Sequence, residues 1–375
     1  MKSLVMIGSM PKPRTNKRIS ALQQISKVSL LCWDRMNESQ LNLQEGIDYP
    51  VYIEHIKAAN DPVKRAVPYY LFSHKALAII EKADPDIIHV EGLDMLKIAE
   101  KYKKSSKKKV IIIYEVPDLR RLITEPQKGI IKNILKRYVC NQEVKLCNET
   151  DLIIITSQMF YEKHYKSFMD YDKFVYMPNV PEFKAFKGFN KHQKGDKIVV
   201  GWIGSIRYKK QMRNLIETAK KKDFKLLVAG YEDEPKEIEP LCINNPNVEW
   251  FGMYNYDQDV ADLYSKCDII YAVYDATKIN EQIALPNKLY ESVYCELPII
   301  VSKGTHLAEI VEEWGVGRSV MCDSVTELEN TIEELEESSQ YEKYVANCKK
   351  HKREINIEYY NEKLLSRINL IRGCQ

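Results

Sequence analysis

What most limits the folds open to this chain is an alternation: a short apolar run, a turn, then a longer stretch with helical spacing. In the first half the predicted strands are Ser3–Gly8, Lys27–Cys32, Ile87–Val90, Val110–Tyr114, Leu152–Thr156 and Phe174–Met177. Helical spacing fills the gaps over Arg14–Ile25, Tyr69–Lys82, Leu93–Tyr102, Lys128–Asn148 and Ser157–Asp170. Runs that are apolar on both sides belong to strands buried on both faces, which means a parallel sheet with helices above and below. The pattern then restarts. Strands are expected at Lys197–Ile203, Phe224–Ala229, Val248–Phe251, Ile269–Val273 and Pro298–Val301, and helices at Tyr208–Lys222, Asp257–Lys266, Thr305–Trp314 and Thr326–Glu337. A chain of 375 residues outgrows one ordinary core. The expectation is therefore α/β: two Rossmann-like, doubly wound domains facing across a cleft. Met177-Pro178-Asn179-Val180-Pro181 closes the first, and the polar segment Glu182–Asp196 reads as the connector. An amphipathic helix over Ile355–Ile371 ends the chain. The expected boundaries are 1–183, 195–350 and 351–375, the last crossing back to the first domain.

No apolar run approaches the ~20 residues a membrane-spanning helix needs. The opening MKSLVMIGSM reads as a first strand and not as a signal peptide. Nine scattered cysteines with no C-x-x-C pair suggest reduced thiols, hence a cytoplasmic setting. The net charge of +3 hides an asymmetry. Residues 1–190 hold 31 Lys+Arg against 22 Asp+Glu, giving +9, and residues 191–375 hold 25 against 31, giving −6. A basic first half points to something anionic, and peripheral association with the inner face of the plasma membrane is expected. Nucleic acid is not expected, because the basic residues fall in no recognisable binding module. The run Lys101–Lys109 reads as a solvated loop. No metal is expected, since ligand residues do not recur at a metal-binding spacing.

Three stretches carry candidate chemistry. In Asn280–Ser302, Pro286 is expected to open a helix on which Lys288 and Glu291, three apart, share a face. A carboxylate there can accept from two neighbouring hydroxyls, as on a ribose, and a lysine can meet a phosphate. In Gly204-Ser205-Ile206-Arg207-Tyr208-Lys209-Lys210 a glycine directly follows a strand, where open α/β sheets bind ligands. Its basic residues suit a diphosphate leaving group. The loop Gly8–Arg14 opens the first half in the same way: MIGSMPKPRTNKRI beside WIGSIRYKKQMRNLI. It lacks G-x-G-x-x-G, which disfavours a nicotinamide enzyme. At other strand ends, Glu115 and Asp118 in Tyr114-Glu115-Val116-Pro117-Asp118 and His89 in His89-Val90-Glu91-Gly92 are candidates, with a capping or structural role as the plainer alternative. Glu143 reads as a surface or interhelical charge.

These residues resemble the retaining glycosyltransferases of the GT-B fold, in particular the large family four. Gly204 with Lys210 six residues later is similar to that family's diphosphate loop. Pro286-Asn287-Lys288-Leu289-Tyr290-Glu291 followed by Leu297-Pro298-Ile299-Ile300-Val301-Ser302 is similar to its donor-binding segment. The resemblance implies transfer of a sugar from a nucleoside diphosphate sugar with retention, without metal or other cofactor. The acceptor implied is a cell-surface polysaccharide or lipid-linked glycan. It makes Glu291 the ribose ligand, Lys210 and Arg207 the diphosphate cations, and Glu281 part of the sugar's surroundings. Gly204, Ser205, Pro286, Asn287, Lys288 and Leu289 would line the donor; Gly8, Arg14, Glu115 and Asp118 would serve from the first domain, where His89 stays a candidate by its strand-end position alone. The chain departs from the family pattern at Ile283, where the first of two glutamates would stand, at Ser205 in place of an arginine, and at Pro117 in place of a histidine. A sugar-nucleotide epimerase of the same fold and a catalytically idle GT-B partner subunit are the alternatives.

Overall fold

In the computed structural model, residues 1–36, 48–59, 61, 64–120, 124–125, 129–192 and 195–373 are described. The predicted helix start at Lys128 lies outside them. The chain divides into two compact units, Met1–Pro178 with Glu358–Gln375, and Asn179–Ile357.

The first unit holds a seven-stranded sheet in the order β3-β2-β1-β4-β5-β6-β7. Its strands are β1 Lys2–Ile7, β2 Lys27–Asp34, β3 Val51–His55, β4 Ile87–Glu91, β5 Ile111–Val116, β6 Leu152–Ile155 and β7 Phe174–Tyr176. All pairings are parallel. The second unit holds six parallel strands in the order β10-β9-β8-β11-β12-β13. These are β8 Val199–Ile203, β9 Lys225–Ala229, β10 Val248–Gly252, β11 Ile269–Ala272, β12 Ile299–Ser302 and β13 Gly317–Val320. In both sheets the order reverses beside a central strand, the arrangement that opens a ligand site at the carboxyl edge. Both sheets are Rossmann-like, as the alternation predicts.

Two strands, β3 and β13, escape the sequence pattern, and both lie at a sheet edge. An edge strand is partly exposed and needs no continuous apolar run. Their sequences, VYIEH and GRSV, show none. The predicted helix Ser157–Asp170 is in fact Gln158–Lys163 followed by two short 3-10 turns, Tyr165–Ser167 and Tyr171–Lys173. Glu143 explains part of the break. It is buried, not a surface charge, and accepts from His164 Nε2 at 2.9 Å and Tyr165 OH at 3.1 Å. The segment Glu182–Asp196 is no bare connector. Phe186 is buried among Tyr256, Tyr264 and Tyr294, and Lys191 Nζ donates to the Glu296 carbonyl at 2.9 Å, so the segment packs on the second unit. Residues 193 and 194 of that segment lie outside the described set. The last helix, Ile357–Gly373, places Leu364, Leu365 and Ile368 in the core of the first unit.

Candidate functional site

The second unit gathers its charges where β8, β11 and β12 end. Gly204 follows β8 with φ +144°, a backbone state that favours glycine. Its carbonyl is pinned by Trp202 Nε1 at 3.0 Å. A Cβ on Gly204 would sit 2.6 Å from the Lys288 ammonium, so glycine is what lets that cation approach the turn. A Cβ on Gly230, at the end of β9, would strike the Gly204 carbonyl oxygen at 2.0 Å. Two strand ends thus meet backbone to backbone.

Helix Asn287–Tyr294 delivers Lys288 and Glu291. Pro286 is its N-cap, with extended φ −79° and ψ 158°, and not its first helical residue. Lys288 Nζ lies over the Trp202 ring at 4.9 Å and the Tyr274 ring at 5.9 Å. Among the described residues no carboxylate pairs with it. Burial pulls its pKa down to about 8; Glu291 opposes that shift and Arg207 adds to it. Arg207 is exposed and likewise has no ion pair among the described residues. Ser302, at the end of β12, fixes the wall by accepting from Tyr274 N at 2.6 Å and donating to the Tyr274 carbonyl at 2.7 Å.

Glu291 is buried, and each carboxylate oxygen has a tyrosine: Tyr256 OH donates to Oε1 at 2.6 Å and Tyr264 OH to Oε2 at 2.7 Å. Burial raises both hydroxyl pKa values and the neighbouring carboxylate raises them further, so both stay protonated donors. A carboxylate offers about four lone-pair sites. Two of Glu291's are used by the tyrosines, and the rest can serve a ligand. Glu281 accepts from Tyr208 OH at 3.0 Å, which ties it to the Gly204 turn; Tyr208 in turn packs against Tyr274, ring centroids 4.8 Å apart.

Not every predicted residue joins this group. Lys210 is in the first turn of helix Lys209–Lys221, exposed, with Nζ 3.4 Å from Asp323. Lys288, and not Lys210, is the cation seated at Gly204. Leu289 is fully buried, so it supports the helix and does not face a ligand. Ser205 and Asn287 flank the turn and helix start, the first exposed and the second partly so. The sequence reading missed Trp202, Tyr274, Tyr256 and Tyr264. Tyr256 and Tyr264 lie eight apart on one helix, a spacing that shares a face, but nothing local marks their partner as Glu291.

The first unit has its own cluster at the carboxyl edge. Glu91 and Glu115 sit opposite one another in the β4–β5 register. Helix Pro13–Gln23 brings Arg14 and Arg18, one turn apart, onto them. Arg18 Nε donates to both Glu115 oxygens at 3.2 Å, and His89 Nε2 lies 2.9 Å from Glu115 Oε2. Arg14 Nη2 reaches Glu91 at 3.1 Å and its Nε lies 3.5 Å from Glu115. Burial alone would raise the Glu115 carboxyl, but Arg18, His89 and Arg14 outweigh it and hold it well below the usual range. Glu115 is therefore anionic, and His89 donates to it through Nε2. Glu115 and His89, 1% and 2% exposed, are bonded to one another and Glu115 to Arg18, so the structure places both in a buried ion network. Asp118 is exposed and contributes to the field at Arg14. Gly8 directly follows β1 with space for a Cβ, 3.8 Å from Met95 Cε.

This network has a stability consequence. Arg18→Met should destabilise the first unit by about 3–5 kcal/mol, because it removes the main counter-charge of a buried carboxylate and leaves it only His89 and the more distant Arg14. In the wild type, Glu115's contribution is present above its unfolded pKa, roughly 4.3, and is lost as pH falls through its lower folded value. Urea unfolding between neutral and acid pH measures both effects.

Among the described residues no three His, Cys, Asp or Glu side chains are grouped to hold a metal ion. The chain does contain Asp-x-Asp triplets, Asp84-Pro85-Asp86, Asp170-Tyr171-Asp172 and Asp257-Gln258-Asp259, and none belongs to such a group. No described helix is long and apolar enough to cross a membrane.

Residues 184–354 match the family described as Glycosyl transferases group 1. The chain is 24% identical over 247 residues to the succinoglycan biosynthesis protein ExoL of Rhizobium meliloti (strain 1021), covering 62% of this chain. It spans 60% of that relative's length. A sucrose-phosphate synthase from Thermosynechococcus elongatus superposes with a TM-score of 0.78 at 12% identity over 100% of both chains. The Anabaena protein HepE, solved with UDP-glucose, gives 0.72 at 16% identity over 98% of this chain and 99% of that one. At such identities the two structures speak for the fold alone.

Proposed function

From a chain whose residues 184–354 form a glycosyl transferases group 1 domain, we propose an enzyme that moves a sugar from a nucleoside diphosphate sugar to a glycan acceptor. The observation that carries this reading is Lys288 at the Gly204 turn, with no carboxylate partner among the described residues, beside a Glu291 whose two oxygens are already oriented by tyrosines. A cation without a carboxylate partner, seated where a glycine clears room for it, suits an anionic ligand. Lys288 and Arg207 take the diphosphate, Glu291 takes the ribose hydroxyls, and Glu281 with Tyr208 borders the sugar. In the transfer, the bond from the anomeric carbon to the diphosphate oxygen breaks and the diphosphate keeps the electron pair. The acceptor oxygen bonds to that carbon and its proton passes to a phosphate oxygen. Fixed cations stabilise the charge that develops on the leaving group, in the place a divalent ion would otherwise fill. Retention of configuration and independence of metal belong to this proposal, as does an acceptor that is a growing polysaccharide or lipid-linked glycan. The match to a succinoglycan biosynthesis protein supports the polysaccharide class.

Incubation with a panel of sugar nucleotides tests it. Nucleotide released only in the presence of a glycan acceptor, unaffected by chelator and giving a product with the donor's anomeric configuration, is the expected result. Interconversion of the sugar without an acceptor would instead show an epimerase, and no binding of any nucleotide would show an idle subunit.

A further inference from the structure

We propose that the N-terminal halves of helices Ala66–Ala83 and Ile130–Glu149 form a docking face for an anionic lipid bilayer. The inference stands on the first unit alone and goes beyond the reaction proposed above. Both helices pack beside helix Leu93–Ser105, one on each side of it. In a parallel α/β sheet each helix begins past the carboxyl end of the preceding strand, so these N-terminal halves share one edge.

Along the first helix Val67, Tyr70 and Leu71 share a face, and along the other Ile130, Ile134 and Tyr138 do; all are between 51% and 80% exposed. Isolated exposed apolar residues need no explanation, but two helical stripes at one edge do. The charges along them are mostly basic. From Lys64 the first helix carries Arg65 and Lys75 before its first carboxylate, Glu81, and Lys75 pairs with Glu54 at 2.6 Å. The other carries Lys136 and Arg137 before its first carboxylate, the buried Glu143. Between the helices, Arg65 and Arg120 share Asp94 at 3.3 and 3.5 Å, with Lys97 close enough for both arginines to act on its charge. Three cations thus surround one carboxylate. Apolar side chains that enter an acyl boundary, flanked by cations that meet lipid phosphates, are the make-up of an interfacial helix face. A purely apolar partner would leave the cations unmatched, and a free phosphate would leave the six apolar residues in water.

Flotation of the full chain with vesicles measures this. Binding to phosphatidylcholine vesicles containing phosphatidylglycerol should exceed binding to phosphatidylcholine alone by about tenfold and should weaken steeply with salt. The exposed double variant Leu71→Ser/Ile134→Ser should lower that binding by roughly tenfold, and Arg137→Glu should also lower it. Both should leave nucleotide binding, read by calorimetry, unchanged. Equal binding to neutral and anionic vesicles, or variants that float like the wild type, would overturn the proposal. So would a wild-type dimer that the double variant turns into a monomer in sedimentation, because a second copy would then be what covers the face. Loss of nucleotide binding in the wild type, with flotation intact, would instead count only against the transferase reading.

Discussion

Lys288→Met should weaken the binding of a nucleoside diphosphate by about 10- to 150-fold, the worth of a charge-assisted hydrogen bond. Turnover should fall further, by roughly 100-fold or more, because the diphosphate carries more charge in the transition state than in the bound donor. Methionine keeps an unbranched apolar stem of similar length and removes the ammonium that lies over Trp202 and Tyr274, so the change isolates the charge. Lys210→Ala is the contrast. From sequence, Lys210 is expected to be the cation on the leaving group, and its loss to reduce turnover. The structure places it in an exposed pair with Asp323, and such pairs contribute little. Its removal should change affinity by less than about threefold. Calorimetry and steady-state kinetics on the two variants decide between them. A large loss at Lys210 with none at Lys288 would restore the sequence-based assignment.

The same residue sets a pH dependence. With its pKa pulled down to about 8, Lys288 is protonated below that pH and ready for an anion. Above it, the free protein must take up a proton to bind, so affinity should fall as pH rises through about 8. The heat of binding should then depend on the ionisation enthalpy of the buffer. Lys288→Arg, charged throughout, should abolish the decline. Folding runs with the opposite sign. A lysine depressed in the folded state destabilises it while both states are protonated. That penalty is relieved as pH rises from about 8 towards the ordinary lysine value, roughly 10.4. Lys288→Met should therefore unfold at a higher temperature than the wild type at neutral pH, the trade of stability for function common at binding sites.

Where the sequence was legible, the reason was local. Strands such as Ile111–Val116 and Leu152–Ile155 are buried on both faces, so their own residues announce them. Lys288 and Glu291 were readable together because helical spacing alone puts them on one face. What could not be read was long-range. Gly204 and Lys288 stand 84 residues apart, and only the β8–β11–β12 order brings the ends of their elements together. Lys210 looked right because it is near Gly204 in sequence, but the helix that starts at Lys209 turns it towards Asp323. Likewise Glu115 and His89 sit at strand ends, as candidates should. Arg18 closes them off, and its sequence signal was only a position one turn beyond Arg14. The edge strands β3 and β13 were hidden by their exposure.

Glu291 shows why the choice of substitution matters. Truncation to alanine would leave the hydroxyls of Tyr256 and Tyr264 with no acceptor, and each stranded buried group costs about 1–3 kcal/mol. Glu291→Ala, which from sequence alone looks like a clean test of the ribose role, should thus destabilise the second unit as well as weaken nucleotide binding. Glu291→Gln separates the two. Its amide oxygen still accepts from one tyrosine, and its amide nitrogen can donate to the other hydroxyl oxygen, so the unfolding midpoint should shift little. What disappears is the negative charge. Hydrogen bonds from a ribose diol to a charged acceptor are worth about 1.5–3 kcal/mol, so nucleotide affinity should fall by roughly 10- to 150-fold. Tyr264→Phe gives the mirror result: one donor is lost inside, stability falls by about 1 kcal/mol, and the carboxylate remains to bind the sugar. Calorimetric titration with a nucleotide, beside urea unfolding of the same three variants, reads both axes. Should Glu291→Gln bind as tightly as the wild type while Glu291→Ala unfolds early, Glu291 would be an anchor for two tyrosines and the ribose would have to be held elsewhere.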